Sequence, residues 1–147
     1  MSLTKFYAVP GLRIGCAFMA PSLCERLKDT LIPWNVNGLA QRYMTDALQD
    51  TVYQQETVAY CKKERKAMVS VLQKLPYVEV LPGCVNFILC RLTSRFADAA
   101  ALQEALHPYH IFIRQCGNYE GLDDTYFRVA VRTEEENKKL LEALGRI

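Results

Sequence analysis

The chain has 147 residues, of which half are hydrophobic and 23% are charged, and its seven Gly and six Pro form no biased tract. This composition excludes collagen, coiled coil and a disordered chain, and the length indicates one globular domain. The formal net charge is only +2 and the Lys and Arg residues are scattered, which argues against a nucleic-acid partner.

Signals for export and for membranes are missing from the sequence. No apolar run approaches the roughly 20 residues that cross a bilayer, and the N-terminus lacks the order of a secretory signal. The cysteines form no C-x-x-C pair and have no histidine at zinc-ligand spacing, so we expect reduced thiols, no metal, no membrane partner and a cytoplasmic location. The six cysteines are Cys16, Cys24, Cys61, Cys84, Cys90 and Cys116.

The first twenty residues predict a loop followed by a strand. Ser2 to Gly15 hold a Pro-Gly turn, and the apolar stretch Ile14 to Met19 predicts a short buried strand. Such a strand needs partners, and none precedes it in the sequence. We therefore expect the segment to look like the cut edge of a larger sheet.

Two helices are predicted next. Ser22 and Glu25 have the spacing of a capping box, and the helix that they begin is expected to end before Pro33. Asn37 is predicted to cap the second helix, which carries one apolar face that packs on a core or on a partner. That face consists of Leu39, Ala40, Tyr43, Met44, Ala47 and Leu48.

A long helix is predicted from Thr51 to Leu75. Its charge run from Lys62 to Lys66 is interpreted as a solvated face rather than a binding patch. After Pro76 the pattern changes to β-branched and aromatic runs, which predict four strands and two helices. The expected strands are Tyr77–Leu81, Val85–Leu92, His110–Cys116 and Tyr126–Arg132, and the expected helices are 97–106 and 133–145, the last with a Thr133–Glu136 capping box. This order predicts a small sheet covered by helices.

The opening segment S-L-T-K-F-Y-A-V-P-G-L-R collects groups that suit a phosphate-bearing aldehyde. The amine of Lys5 can form a Schiff base, the hydroxyl of Ser2 can donate to phosphate, and the guanidinium of Arg13 can bind phosphate oxygens with two hydrogen bonds. Spacing alone still favours an ordinary surface lysine and arginine beside a loop serine.

The same segment resembles the S-x-x-K motif, followed eight residues later by Arg, of fold type I pyridoxal-phosphate enzymes. The resemblance implies that Lys5 bonds covalently to pyridoxal 5'-phosphate, that Ser2 and Arg13 hold its phosphate, and that Thr4 also contacts the cofactor. It extends through P-W-N-V-N-G-L-A-Q at residues 33–41 to the strand of Arg128, and so covers the whole chain. The fold class that it implies is α/β, with an α+β small domain.

Two later segments, I-F-I-R-Q-C-G-N-Y-E-G-L and Y-F-R-V-A-V-R, resemble the threonine-phosphate decarboxylases of cobalamin biosynthesis and the related histidinol-phosphate aminotransferases. This resemblance implies a phosphorylated amino acid as substrate, with Arg128 on its carboxylate and Arg114 near its anionic end. Asn118 lies in the predicted loop from Gly117 to Gly121, and it is expected either to line a substrate pocket or to belong to an ordinary turn. Without the resemblance, both arginines would be expected to pair with nearby carboxylates at a sheet edge.

The resemblance also implies how the chain is organised. Residues 1–50 would be a remnant of the large cofactor domain, residues 51–75 a connecting helix, and residues 76–147 the small C-terminal domain. Enzymes of this kind are longer at the N-terminus, so we expect a fragment that is inactive in isolation but belongs to a homodimeric enzyme. A non-catalytic module that self-associates and an anion-binding or nucleic-acid-binding module remain alternatives. Trp34 is expected in a core, or by resemblance near the cofactor or a subunit interface.

Overall fold

A computed structural model describes residues 3–147 of the chain, so Ser2 lies outside the described residues. The chain divides into two compact units, an N-terminal unit that ends at Thr57 and a C-terminal unit, Val58–Ile147. The helix α4 (Thr51–Leu72) contains the boundary between them. Throughout residues 3–147, every helix is too short or too polar to cross a bilayer.

The N-terminal unit contains only helices and turns in its described residues. A small core of Leu3, Tyr7 and Met44 holds it together. Tyr7 and Tyr53 stack with ring centroids 5.6 Å apart, and the Tyr53 hydroxyl donates to the carbonyl of Phe6 at 2.9 Å. Its elements are α1 (Leu3–Phe6), a 3-10 turn (Pro10–Leu12), α2 (Pro21–Lys28), α3 (Gly38–Ala47) and the first turns of α4.

The strand expected at Ile14–Met19 is wrong, because the segment has no regular structure. A strand is stable only when its backbone groups pair with a neighbour, and the described residues of the N-terminal unit offer no other strand. Phe18 is 88% exposed as a result. The capping box at Ser22 is also wrong, because α2 begins one residue earlier, at Pro21, whose fixed φ suits the first helical position.

Asn37 caps α3 as predicted, since its Oδ1 accepts from the backbone N–H of Ala40 at 2.8 Å. The apolar face of α3 packs only in part. Ala40 and Met44 are buried, whereas Leu39 and Leu48 are 70% and 50% exposed. Packing on a core is therefore confirmed for Ala40 and Met44, whereas packing of the exposed Leu39 and Leu48 on a partner stays a prediction.

The C-terminal unit is built on a four-stranded antiparallel sheet with strand order β1-β2-β4-β3. This mixed helix-and-sheet arrangement confirms the expected α+β small domain. The strands are β1 (Val78–Val80), β2 (Phe87–Leu92), β3 (Arg114–Gln115) and β4 (Tyr126–Ala130), and the helices after α4 are α5 (Ala99–Leu106) and α6 (Glu134–Arg146).

The strand expected at His110–Cys116 is much shorter than predicted, because only Arg114 and Gln115 pair with β4. Upstream, the Gln103 side chain of α5 donates to the carbonyl of Ile111 at 2.9 Å and accepts from the N–H of Ile113 at 2.8 Å. The Gln103 side chain thus makes hydrogen bonds with backbone groups of Ile111 and Ile113 that would pair with β4 if β3 were longer.

One face of the sheet forms the core of the C-terminal unit. Ile88, Cys90, Phe127 and Val129 alternate along β2 and β4 with outward residues, and all four are almost completely buried. Each large side chain buried in this way contributes roughly 1.5–3 kcal/mol. Burial also raises the pKa of the Cys90 thiol to about 12. The helices cover this face with Met68, Leu72, Leu102, Leu106 and Leu144.

The charge run of α4 is only partly solvated, which corrects its interpretation as a uniform exposed face. Glu64 is 4% exposed, and its Oε2 accepts from Nδ2 of Asn137 in α6 at 3.0 Å. Asn137 also donates to the carbonyl of Arg132 and accepts from its N–H. Arg65 is half-buried, whereas Lys62 and Lys66 are exposed. One carboxylate of the run therefore joins α4 to α6.

The last helix begins as predicted. The Thr133 hydroxyl accepts from the N–H of Glu136 at 3.3 Å, and the Glu136 carboxylate accepts from the N–H of Thr133 at 3.4 Å, which completes the capping box. The Thr133 hydroxyl also donates to Oε2 of Glu136 and holds the pKa of that carboxyl below its usual value. Both partners are local in sequence, which is why spacing alone found them.

Gly117 follows β3 and allows the chain to pass close to Asp124. A Cβ on Gly117 would overlap Oδ1 of Asp124 and lie 3.2 Å from its Cα, which belongs to the backbone and cannot swing away. We expect Gly117→Ala to lower the free energy of unfolding by about 1–3 kcal/mol, as overpacking does. Urea denaturation followed by circular dichroism measures the change.

Gly145→Ala is the matched comparison, since nothing lies within 4 Å of a Cβ at that position in α6. Replacing glycine by alanine in a helix removes backbone entropy from the unfolded chain, so this variant should be slightly more stable, by about 0.5 kcal/mol. Equal effects of the two substitutions would contradict the close approach at Gly117.

Candidate active site

Lys5 lies on the short helix α1 with an exposed side chain, next to Thr4, which is 7% exposed. The backbone of this segment is tightly wound. The N–H of Tyr7 donates to the carbonyl of Leu3 at 3.0 Å, and the N–H of Val9 donates to the carbonyl of Thr4 at 3.1 Å. The fold therefore presents the Lys5 amine to its surroundings from a fixed backbone.

Arg13 follows the 3-10 turn and has a left-handed backbone, with φ 48°. A non-glycine residue in this region carries a conformational cost, and such residues cluster at functional sites. Its neighbour Leu12 is held in place, because Nδ2 of Asn37 donates to the Leu12 carbonyl at 3.2 Å. Asn37 thus supports the Arg13 turn as well as capping α3, a second role that the capping pattern did not reveal.

These residues fit the phosphate-bearing aldehyde that the sequence suggested. Lys5 supplies a nucleophilic amine and Arg13 a guanidinium with exposed donors, the two groups that such a molecule requires. Nη1 of Arg13 donates a long hydrogen bond, 3.4 Å, to the carbonyl of Pro10. Thr4 is mostly buried, and Ser2 lies outside the described residues.

In the C-terminal unit, Arg114 and Arg128 stand directly opposite each other on β3 and β4. Cα partners in an antiparallel pair project to the same face, so both guanidinium groups belong to the face opposite the core. Residues 3–147 contain no ion-pair partner for either of them. The carboxylate partners expected from an ordinary sheet-edge arginine are therefore missing here.

Uncharged groups hold both arginines instead. The Arg128 guanidinium lies over the ring of Phe87, 4.5 Å from its centroid. Nη2 of Arg114 donates to Oδ1 of Asn118 at 3.1 Å, and its guanidinium is 5.6 Å from the Tyr119 ring centroid. Such cation–π contacts orient a guanidinium without neutralising it.

Arg91 of β2 shows the contrast on the same face. It pairs with Glu79 across the β1–β2 ladder, with its Nη2 2.6 Å from the carboxylate. The Glu79 carboxylate raises the pKa of Arg91 through a hydrogen bond and through its charge. One arginine of this face is thus paired with a carboxylate, whereas Arg114 and Arg128 have no carboxylate partner within residues 3–147.

The electrostatic field of the pair reaches Cys116. Burial raises the pKa of this thiol, and the positive charges of Arg128 and Arg114 act in the opposite direction. A cavity of about 420 Å³ lies beside Arg114, and Arg128 is not one of its lining residues. It is lined by Asp98, Ala100, Arg114, Gln115, Gly117, Asn118 and Asp124.

The structure brings together three of the residues singled out from the sequence, Arg114, Asn118 and Arg128. Phe87 was missed, because its place beneath Arg128 depends on the register of β2 against β4. Trp34 is 97% exposed, with φ 56°, so the expectation of a core tryptophan is wrong. Within the described part of the chain, no three His, Cys, Asp or Glu side chains cluster as metal ligands.

Comparison with known proteins places these features in a family. The family model of aminotransferase class I and II matches residues 1–144. Over 147 residues the chain is 40% identical to the threonine-phosphate decarboxylase of Salmonella typhimurium, a match that covers 99% of this chain and 40% of that protein.

Two solved structures are similar. The histidinol-phosphate aminotransferase from Clostridium acetobutylicum matches with a TM-score of 0.90 and 36% identity, over 97% of this chain and 42% of that one. The L-threonine-O-3-phosphate decarboxylase from Porphyromonas gingivalis matches with a TM-score of 0.80 and 29% identity, over 99% of this chain and 44% of that one. The chain thus spans about 40% of the length of the relative from Salmonella. Because the family model covers nearly every residue and both structures share the fold, the chain belongs to the pyridoxal-phosphate-dependent aminotransferase class I and II family.

Proposed function

We propose that the chain supplies the cofactor lysine and the substrate-anion clamp of a pyridoxal-phosphate enzyme that acts on a phosphorylated amino acid. The reaction proposed is that of a threonine-phosphate decarboxylase in cobalamin biosynthesis. The observation that carries the proposal is the pair Arg114 and Arg128, which face each other with no ion-pair partner in residues 3–147. Since the chain spans about 40% of its Salmonella relative, we propose that it is inactive by itself.

The cofactor part of the proposal rests on the segment of Lys5 and Arg13. Bound pyridoxal phosphate supplies an aldehyde for an amine and a sink for the electrons of a broken Cα bond. In this proposal Lys5 holds the cofactor, and Ser2, Thr4 and Arg13 contact it, with Ser2 and Arg13 on its phosphate. Once substrate has displaced the Lys5 amine, that amine can accept or return a proton at the substrate Cα.

The substrate part rests on charge. A phosphorylated amino acid carries a carboxylate and a phosphate, and each can accept two parallel hydrogen bonds from a guanidinium. We propose that Arg128 binds the carboxylate, that Arg114 binds near the anionic end, and that Asn118 keeps Arg114 in place. Holding the substrate at both ends fixes which Cα bond is aligned for cleavage.

A histidinol-phosphate aminotransferase is the second candidate, supported by the likeness to the solved Clostridium structure. Transamination and decarboxylation use the same holding groups and differ in which bond at Cα is broken. Histidinol phosphate has no carboxylate, so it would occupy only one of the two arginines. Two uncompensated guanidinium groups favour the substrate with two anionic groups.

The proposal includes a cytoplasmic homodimer. Phe18, Ile32 and Trp34 are 88%, 76% and 97% exposed in the N-terminal unit, and a subunit interface would bury such large apolar side chains. The same exposure supports the alternative of a non-catalytic module that self-associates. Sedimentation that detects only monomer at high concentration would argue against both.

Reductive trapping tests the lysine. When the chain is mixed with pyridoxal phosphate and reduced with borohydride, peptide mass spectrometry should find the cofactor on Lys5, because Ser2 and Arg13 are proposed to hold the cofactor phosphate beside this amine. Lys5→Arg should abolish this labelled peptide. Arg13→Gln should reduce its yield by about tenfold, the effect of losing one charged contact.

Lys28 is the matched comparison, since it is also exposed and lies in the same unit. Equal labelling of Lys5 and Lys28 would mean that the aldehyde reacts with any accessible amine, and the proposed role of Lys5 would fail.

Calorimetric binding of O-phosphothreonine tests the arginine pair. Arg128→Gln and Arg114→Gln should each weaken binding by about 10- to 100-fold, because each removes charge-assisted hydrogen bonds to an anionic group. Arg91→Gln, on the same face but already paired with Glu79, should change the affinity by less than about twofold.

Ligand variation separates the two candidate substrates. O-phosphothreonine should bind more tightly than histidinol phosphate, and Arg128→Gln should affect the second ligand less. The proposal is contradicted if Arg91→Gln weakens binding as much as Arg128→Gln does, because general surface charge would then explain the affinity.

A further inference from the structure

A groove in the C-terminal unit lies between α4 and the loop after β1, and neither the proposed cofactor residues nor the proposed substrate residues line it. Its volume is about 580 Å³, within the range of small-molecule pockets. Lys62, Arg65, Lys66 and Val69 contribute from α4, and residues 80–84 form the opposite wall. Their spacing on α4 places these four side chains on one helix face. We refer to this cavity as the α4 groove.

The charge of the α4 groove is entirely positive. Three of its lining residues are cationic and none is acidic. Lys62 and Lys66 have no ion-pair partner in the described chain. The nearby Glu64 is buried and bonded to Asn137, and its other carboxylate oxygen lies 3.8 Å from Nζ of Lys63, which does not line the groove. The charge run of α4 is therefore separated into a structural carboxylate and a set of uncompensated cations.

Arg65 holds the opposite wall and keeps one nitrogen available. Its Nε donates to the carbonyl of Gly83 and its Nη1 to the carbonyl of Phe87, both at 3.0 Å. A Cβ on Gly83 would lie 3.0 Å from Nη2 of Arg65. Because residue 83 is glycine, the space in front of this third nitrogen stays open. The groove thus presents a guanidinium donor with a fixed orientation beside two flexible ammonium groups.

The remainder of the lining is largely apolar. Val69, Val80, Leu81 and Pro82 line the cavity together with the cationic residues. An inorganic ion would contact only the cations, whereas an organic phosphate could also bury a hydrocarbon or aromatic group against these side chains. The cationic side chains favour an anionic ligand, and the apolar wall favours a ligand that also carries an apolar group.

We propose that the α4 groove is a second binding site, which takes a phosphate-bearing small molecule with an apolar group. The phosphate oxygens accept from Nη2 of Arg65 and from the amines of Lys62 and Lys66. The apolar group packs on Val69 and the wall formed by residues 80–82. This site requires neither Lys5 nor the pair at positions 114 and 128.

Cys84 provides the readout, because its exposed thiol lines the groove. Iodoacetamide labelling at constant ionic strength, quantified for each cysteine by peptide mass spectrometry, is followed with and without phenyl phosphate. Phenyl phosphate at about 1 mM, a concentration typical of a fragment-sized ligand, should slow labelling of Cys84. It should leave Cys24, in the N-terminal unit, unchanged. Inorganic phosphate and phenol should each protect Cys84 at least about tenfold less well.

A pair of double variants makes the test specific. Lys62→Gln with Lys66→Gln should raise the concentration of phenyl phosphate for half protection by about tenfold or more. Lys74→Gln with Lys139→Gln removes the same charge from two exposed lysines outside the groove and should change it by less than about twofold. Cys90, whose burial raises its pKa to about 12, should stay unlabelled in every variant that is folded.

Three results would overturn the inference, two of them by refuting the site and one by refuting the class of ligand. The site is refuted if phenyl phosphate does not protect Cys84, or if both double variants weaken protection equally. The small-molecule assignment is refuted if a phosphoserine peptide protects Cys84 at a lower concentration than phenyl phosphate. Each of these results leaves the proposed roles of Lys5, Arg114 and Arg128 unaffected, since their tests measure other residues and other ligands.

Discussion

The cross-strand placement of Arg114 opposite Arg128 is the arrangement on which the proposed substrate site of the C-terminal unit depends. Arg114 and Arg128 are direct cross-strand partners, and like charges in this position destabilise a sheet by a few tenths of a kcal/mol up to about 1 kcal/mol. The cost persists because no carboxylate has been placed beside them, as Glu79 has been beside Arg91. An anion bound between the two guanidinium groups would remove this repulsion, and that is the role proposed above for the substrate.

The opposite face of the same sheet supplies the stability that offsets this cost. Cys90 and Phe127 pair across β2 and β4 and are fully buried beneath the helices. Each strand therefore presents one hydrophobic and one functional face, and a one-residue slip in register would exchange them. Buried and outward side chains alternate along β2 and β4, and this alternation keeps Arg128 on the face opposite the core.

Several features that depend on neighbours in sequence could be predicted, although the capping box at Ser22 was wrong because Pro21 begins that helix one residue earlier. Features that depend on distant partners could not be predicted. The caps at Asn37 and Thr133 use atoms within three residues, so spacing was sufficient. β3 is short because Gln103 of α5 binds the backbone before it. Glu64 is buried because it bonds to Asn137, which is far away in the sequence. Neither dependence leaves a periodic signal, which is why both segments were misjudged.

In the candidate site, too, some features could be predicted from the sequence and others required the three-dimensional structure. The motif around Lys5 and the arginine strands were recognised by resemblance, because residue type and spacing carry that signal. The stacking of Phe87 under Arg128 requires strand register, and the left-handed turn at Arg13 requires backbone geometry. Trp34 was misjudged because hydrophobicity predicts burial only when the chain provides something to cover the side chain.

Asn37 has a consequence that reaches beyond its own helix. The Asn37 side chain caps α3 through Oδ1 and donates to the carbonyl of Leu12, next to Arg13, through Nδ2. It therefore connects the start of α3 to the turn before Arg13. Loss of the Asn37 side chain would remove both hydrogen bonds, so the first turn of α3 and the turn before Arg13 would lose this shared support together.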